Sequence, residues 1–151
     1  MTTSVPYSPL IPYLTVTNAK AAIEFYQSAF GAEELFRLVD PQSGKIGHAE
    51  LMISGQMLML ADEYPAYNKS PETLGGSATK FSLKVSNADQ AVEHAVSLGA
   101  TRVMPPQDQF YGHRCGSVRD PFGHEWVLWH EIEKVTPELM QQRWNEMCKP
   151  Q

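Results

Sequence analysis

Apolar and polar positions alternate from Tyr13 to Thr17, and β-branched residues are frequent there, so the spacing predicts a strand. Asn18 follows where a helix N-cap belongs. Ala22, Ile23, Tyr26, Ala29 and Phe30 then recur at helical spacing, and Gly31 stands where a left-handed cap closes a helix. Three more strands are predicted, over 33–39, 46–53 and 56–61. Asp40-Pro41-Gln42-Ser43-Gly44 and Ser54-Gly55 mark the turns between them.

The same order returns further along. Leu83 and Val85 open it, Asn87 is the cap, and Ala91, Val92, Ala95 and Leu98 form the apolar stripe ahead of Gly99. Strands are predicted over 101–104, 112–119 and 125–130, with Asp120-Pro121-Phe122-Gly123 as the last turn. Each half reads β-α-β-β-β. The halves also align residue by residue: Asn18 falls on Asn87, Ala22 on Ala91 and Glu24 on Glu93 at offset 69. Gly31 falls on Gly99, Gly55 on Gly123 and Leu60 on Leu128 at offset 68.

The expected organisation is one α+β domain. Module one covers about 7–62, a Pro- and Gly-bearing linker or flap 63–77, module two about 78–131, and a tail 132–151. In the tail, Thr136-Pro137-Glu138 reads as an N-cap, a proline at the first helical position and an acidic first turn. A helix over 137–147 should carry the stripe Leu139, Met140, Arg143, Trp144 and Met147.

Composition narrows the class. A chain of 151 residues can bury a sizeable core without disulfides or structural metal, and its two cysteines suit a reducing compartment. The net charge of −5 argues against nucleic acid as a partner. No apolar run is long enough to span a membrane, and Met1 to Pro6 lack the features of a signal peptide. A cytoplasmic protein is expected.

The string from Tyr111 to Trp126, YGHRCGSVRDPFGHEW, followed by His130-Glu131 and Val135-Thr136-Pro137-Glu138, resembles the vicinal oxygen chelate superfamily. Within it, the string is similar to the PhnB-like, glyoxalase/bleomycin-resistance branch. The resemblance implies two βαβββ modules whose sheets curl into a mixed sheet around a cup. It also implies pairing of modules, within one chain or in a homodimer. Metal-dependent members place one ligand on the first and last strand of each module. Those positions map to Ile11, Met59, Lys80 and Val127, none of which suits a divalent metal. No cofactor is therefore expected, with a divalent metal as the lesser alternative.

Strand alternation assigns the side chains that should line the cup. Tyr13, Met52, Met57, Met59 and Trp129 supply soft apolar and aromatic surface, and His48, Glu50, His113 and Glu125 supply polar groups. The last four are the candidates for any catalytic role, although each lone histidine also admits a purely structural reading. His124 is expected to be structural, and Arg119-Asp120 to stabilise the turn. Cys115 shows no feature of a nucleophile. Three functions compete. The favoured one is a metal-free receptor for a small hydrophobic or aromatic molecule, without turnover. The alternative is a metal-dependent lyase, isomerase or dioxygenase with a displaced site near His48, Glu50 and His113. The third is a protein with a vestigial cup whose terminal helix binds a partner.

Overall fold

The structure is a computed structural model, and it describes residues 7–151; the reading of Met1 to Pro6 lies outside these residues. The element order is β1 (Tyr13–Val16), α1 (Ala19–Phe30), β2 (Glu33–Val39), β3 (Ile46–Ile53), β4 (Gln56–Asp62), α2 (Pro71–Leu74), β5 (Lys80–Lys84), α3 (Ala88–Ser97), β6 (Thr101–Asp108), β7 (His113–Arg119), β8 (Glu125–Glu131) and α4 (Pro137–Met147). The chain divides into two compact units. Of the described residues, one comprises 7–79 and 120–124, the other 80–119 and 125–151.

The first unit holds a four-stranded mixed sheet in the order β1-β4-β3-β2. β1 runs parallel to β4 with Tyr13 opposite Met59, while β3 is antiparallel to both β4 and β2. Leu14 and Val16 from β1, Ala49 and Leu51 from β3 and Leu60 from β4 are buried, as are Ala22, Ile23 and Tyr26 of α1. Each large apolar side chain so buried contributes about 1.5–3 kcal/mol. Asn18 caps α1 by accepting from Ala21 N at 3.1 Å, and Gly31 closes it in the left-handed region. The carboxylate of Asp62 at the end of β4 accepts from Ala19 N and Ile46 N, both at 2.7 Å, and so ties α1 and β3 to β4.

The second unit repeats the scheme, with order β5-β8-β7-β6. Ser82 stands opposite Val127 just as Tyr13 stands opposite Met59, so the offsets of 69 and 68 read from the sequence hold in the strand register. Val92 and Ala95 of α3 and Val118, Trp126 and Leu128 of the sheet are buried. Asn87 caps α3 through Gln90 N at 3.0 Å. β1, β4, β7 and β8 differ from the sequence expectation by one residue at an end, and β6 by four. β6 continues through Pro105 and Pro106 to Asp108, which an edge strand with register shifts permits because those prolines need donate no ladder bond. β7 begins at His113 because Gly112 lies at φ +90°, where a Cβ would meet Glu133 O at 2.2 Å.

The segment after β4 is anchored within the first unit. Ser70 is fully buried and caps the single turn α2, and the carboxylate of Glu63 accepts from Ser70 N and the Thr73 hydroxyl, both at 2.8 Å. α4 forms over the predicted residues with Thr136 as its cap. None of its residues is buried, but Arg143 bonds Phe110 O and pairs with Glu133, and Trp144 lies against Phe110. Among the described residues no helix is long and apolar enough to cross a membrane.

Candidate functional site

In the first unit α1 covers one sheet face; the other, open face bears no long helix of that unit among the described residues, although Glu50 and Met57 on it are buried. Register places Tyr13, Met59, Glu50 and Phe36 in one row across the open face, with Met57, Met52, His48 and Leu38 beside them. Along β3 the alternation does this work: Ala49, Leu51 and Ile53 turn to the helix and His48, Glu50 and Met52 turn away. Met57 is buried, whereas Met52 and Met59 are half-buried.

A continuous hydrogen-bonded chain runs across this face. The Tyr13 hydroxyl lies 2.8 Å from His48 Nδ1, and His48 Nε2 lies 3.0 Å from Glu50 Oε1. Tyr7 donates to the same Glu50 oxygen at 3.1 Å. Exposure rises from Glu50 at 3% to Tyr13 at 51% at one end and Tyr7 at 59% at the other. Burial, and then the nearby Glu50 charge, push the Tyr13 phenol above its ordinary value. For Tyr7 the larger cause is its hydrogen bond to Glu50. The His48 ring also rests near the rings of Tyr13 and Phe36, at centroid distances of 5.5 and 5.9 Å.

Beside Tyr13 the first unit has a cavity of about 230 Å³, walled by Tyr13 and Thr15 of β1, by Lys69, Pro71 and Leu74, and by His124. A single aromatic ring fits such a volume, since about 150 Å³ holds benzene. Two of its walls, Pro71 and His124, are packed or bonded in place. Pro71 packs where a Cβ on Gly123 would come within 2.7 Å, and His124 Nε2 lies 3.1 Å from Thr15 O. His124 is thus held against the backbone of β1. A second cavity of about 520 Å³ touches none of the expected site residues and is lined by polar groups such as Lys20, Arg37 and Asp62.

In the second unit, His113 stacks face to face on Trp129, with centroids 4.0 Å apart and planes 5° from parallel. Lys84 Nζ lies 5.7 Å from the Trp129 ring, and Tyr111 meets His113 edge-on. Trp129 Nε1 is buried without a partner among the described residues. Glu125 is not a free carboxylate, for Lys80 Nζ lies 3.4 Å from it. Cys115 is buried with its sulfur 3.3 Å from the Tyr111 hydroxyl. Burial, and then that contact, raise Tyr111 to about 12.

The sequence reading missed Tyr7 and Asp62, and it missed the partner of Asp120. The Asp120 side chain accepts from the Tyr26 hydroxyl at 2.5 Å as well as from the turn's own N–H groups. A polar tyrosine on the apolar stripe of α1 was the available signal.

The positions where the superfamily carries metal ligands hold Ile11 ahead of β1, Met59 on β4, Lys80 at the start of β5 and Val127 on β8. Two lack a donor atom, one offers only a thioether, and the lysine is engaged by Glu125. This set does not fit a divalent metal. Among the described residues no three His, Cys, Asp or Glu side chains gather as a metal set. His48 in particular has both ring nitrogens in hydrogen bonds.

The comparisons with known proteins agree with this architecture. An uncharacterized protein of Mycobacterium bovis is 40% identical over 136 residues, covering 87% of this chain and 89% of its own. The solved structure of the Arabidopsis thaliana gene product At5g48480 superposes with a TM-score of 0.67 at 29% identity, covering 83% of this chain and 100% of that one. TioX from Micromonospora sp. ML1 gives a TM-score of 0.61 at 29% identity, over 83% and 99%. The model of the Glyoxalase/Bleomycin resistance protein/Dioxygenase superfamily matches residues 10–128. With the duplicated βαβββ unit, the paired strand registers and this match together, the chain belongs to that superfamily.

Proposed function

We propose that this protein is a metal-independent receptor for a small aromatic or largely apolar molecule, taken up beside Tyr13 on the open face of the first unit. The observation that carries the reading is the exchange of chemistry on that face. Where metal-dependent relatives need a hard donor stands Met59, and the row through it continues as Tyr13, Glu50 and Phe36. Methionines and aromatic rings adapt to apolar ligands, and Tyr13, the one residue of this row that also walls the 230 Å³ cavity, offers its hydroxyl as a directional polar contact. The metal-dependent lyase, isomerase or dioxygenase reading has less support, because recruiting His48 as a ligand would break a bond to Tyr13 or to Glu50. The protein is taken to act as a homodimer, since β2 is an edge strand with Leu38 and Val39 exposed.

Metal analysis and calorimetry test the reading together. Protein purified without chelators is expected to carry substoichiometric metal and to bind 4-nitroanisole equally well before and after EDTA treatment. Stoichiometric metal that disappears in His48→Ala, or binding that EDTA abolishes and a divalent cation restores, would overturn it.

A further inference from the structure

The bonded chain Tyr7–Glu50–His48–Tyr13 does more than a passive apolar receptor needs. Glu50 is 3% exposed, and its bonded partners are a phenol and an imidazole, with no lysine or arginine paired to it among the described residues. A carboxylate taken out of water in this way is unfavourable unless hydrogen bonds or a proton offset its charge. The hydrogen bonds come from Tyr7 and His48 of the chain itself. Opposite Glu50 and His48 in register stand Met59, Phe36 and Leu38, none of which is ionisable. With Glu50 accepting from Nε2, Nδ1 is left as the acceptor of the Tyr13 O–H. Both ends of the chain are exposed phenols, Tyr7 and Tyr13, and of the two Tyr13 lines the cavity.

We infer that this chain is a proton relay, and that the ligand taken up beside Tyr13 carries an ionisable hydroxyl, a phenol or an enol, whose proton the relay accepts. The inference rests on the receptor reading above, because it takes that cavity as the place of binding. The step involves only O–H and N–H bonds. The ligand hydroxyl gives its proton to Tyr13 Oη, and Tyr13 gives its own proton to His48 Nδ1. The ligand keeps the electron pair as an oxyanion that accepts a hydrogen bond from Tyr13. His48 then holds protons on both nitrogens and faces the Glu50 charge. Net charge is unchanged, so the buried carboxylate gains a cationic partner when the ligand ionises.

The test compares 4-nitrophenol with 4-nitroanisole, which has nearly the same shape and no proton to give. Below the phenol's own pKa, bound 4-nitrophenol is expected to show the yellow absorbance of its anion. It should also bind on the order of tenfold or more tightly than the ether, as befits a hydrogen bond to a charged group. Tyr13→Phe alters a half-exposed position and leaves the core intact. In that variant, and in His48→Asn, the bound phenol should be colourless and the preference should fall to near parity. Glu50→Gln keeps the side chain's size and should also leave the bound phenol colourless. If wild-type protein binds both probes alike, or binds the phenol in its neutral form, the relay is refuted and the receptor reading stands. If neither probe binds, both fall.

Discussion

The hydrogen bond from Tyr26 to Asp120 fixes the turn between β7 and β8 to α1, and removing it should be visible in stability. Tyr26 is 0% exposed and Asp120 3%, and the donor–acceptor distance is 2.5 Å. That is the length of an O–H bonded to a charged oxygen. The other carboxylate oxygen accepts from Phe122 N and His124 N, both at 2.9 Å. Tyr26→Phe deletes one hydroxyl and leaves the ring, which keeps its stack on Phe30 and its edge contact with Phe122. The loss is therefore that of one charge-assisted bond in a buried place, about 1.5–3 kcal/mol. For a chain of this size each kcal/mol moves the midpoint by roughly 2–4 °C, so Tm should drop by about 3–12 °C. Urea denaturation should give the same change as a lower midpoint at unchanged slope. Asp120→Ala, which removes the contacts to Tyr26, Phe122 N and His124 N together, should be worse. A Tyr26→Phe protein within about 0.5 kcal/mol of wild type, the range of neutral surface changes, would refute the claim that this bond holds the turn.

Gly112→Ala should destabilise by about 3 kcal/mol or more in urea, because the residue is at φ +90° and the new methyl would collide with Glu133 O. A variant of near-native stability would show that the backbone after β8 yields freely. Glu63 should show in acid. Its bonds from Ser70 N and then Thr73 hold its carboxyl below the ordinary range. Its contribution is thus present above the unfolded value near pH 4.3 and is lost as pH falls through the lower folded value. Glu63→Gln should lessen the loss of thermal midpoint over that window; an unchanged acid profile would remove Glu63 from the account. The two thiols should separate by access. Cys148, which is exposed, should react promptly with a thiol reagent in native protein, whereas buried Cys115 should react only on unfolding. Equal rates would contradict the packing of β7.

Much of this fold was legible because period and punctuation agree in both halves. Asn18 and Asn87 cap as their positions imply, and the alternation along β3 separates His48 and Glu50 from Ala49 and Leu51. Alternation gives a face and nothing more. It put Tyr13, His48 and Glu50 on one side of the first sheet, and His48 and Glu50 are neighbours on β3, but the bond from Tyr13 to His48 depends on parallel pairing of β1 with β4, which no local pattern encodes. Tyr7 lies outside any periodic element and meets Glu50 across 43 positions of sequence. Tyr26 looked like a core aromatic, and it is one; its hydroxyl's partner lies 94 positions away. Local rules fail where polar atoms are buried, because such atoms must find partners wherever the fold brings them. In this chain those failures are informative. Asp120 and Glu50 are both buried carboxylates whose tyrosine partners the sequence did not show, yet they end differently. Asp120 accepts the backbone N–H groups of its own turn, which accounts for it structurally. The bonds to Glu50 come from side chains alone, Tyr7 and His48, and lead out to a half-exposed phenol at a cavity wall. A carboxylate kept for architecture needs no such path to the surface, and this difference singles out the first unit's open face as the place to look for chemistry.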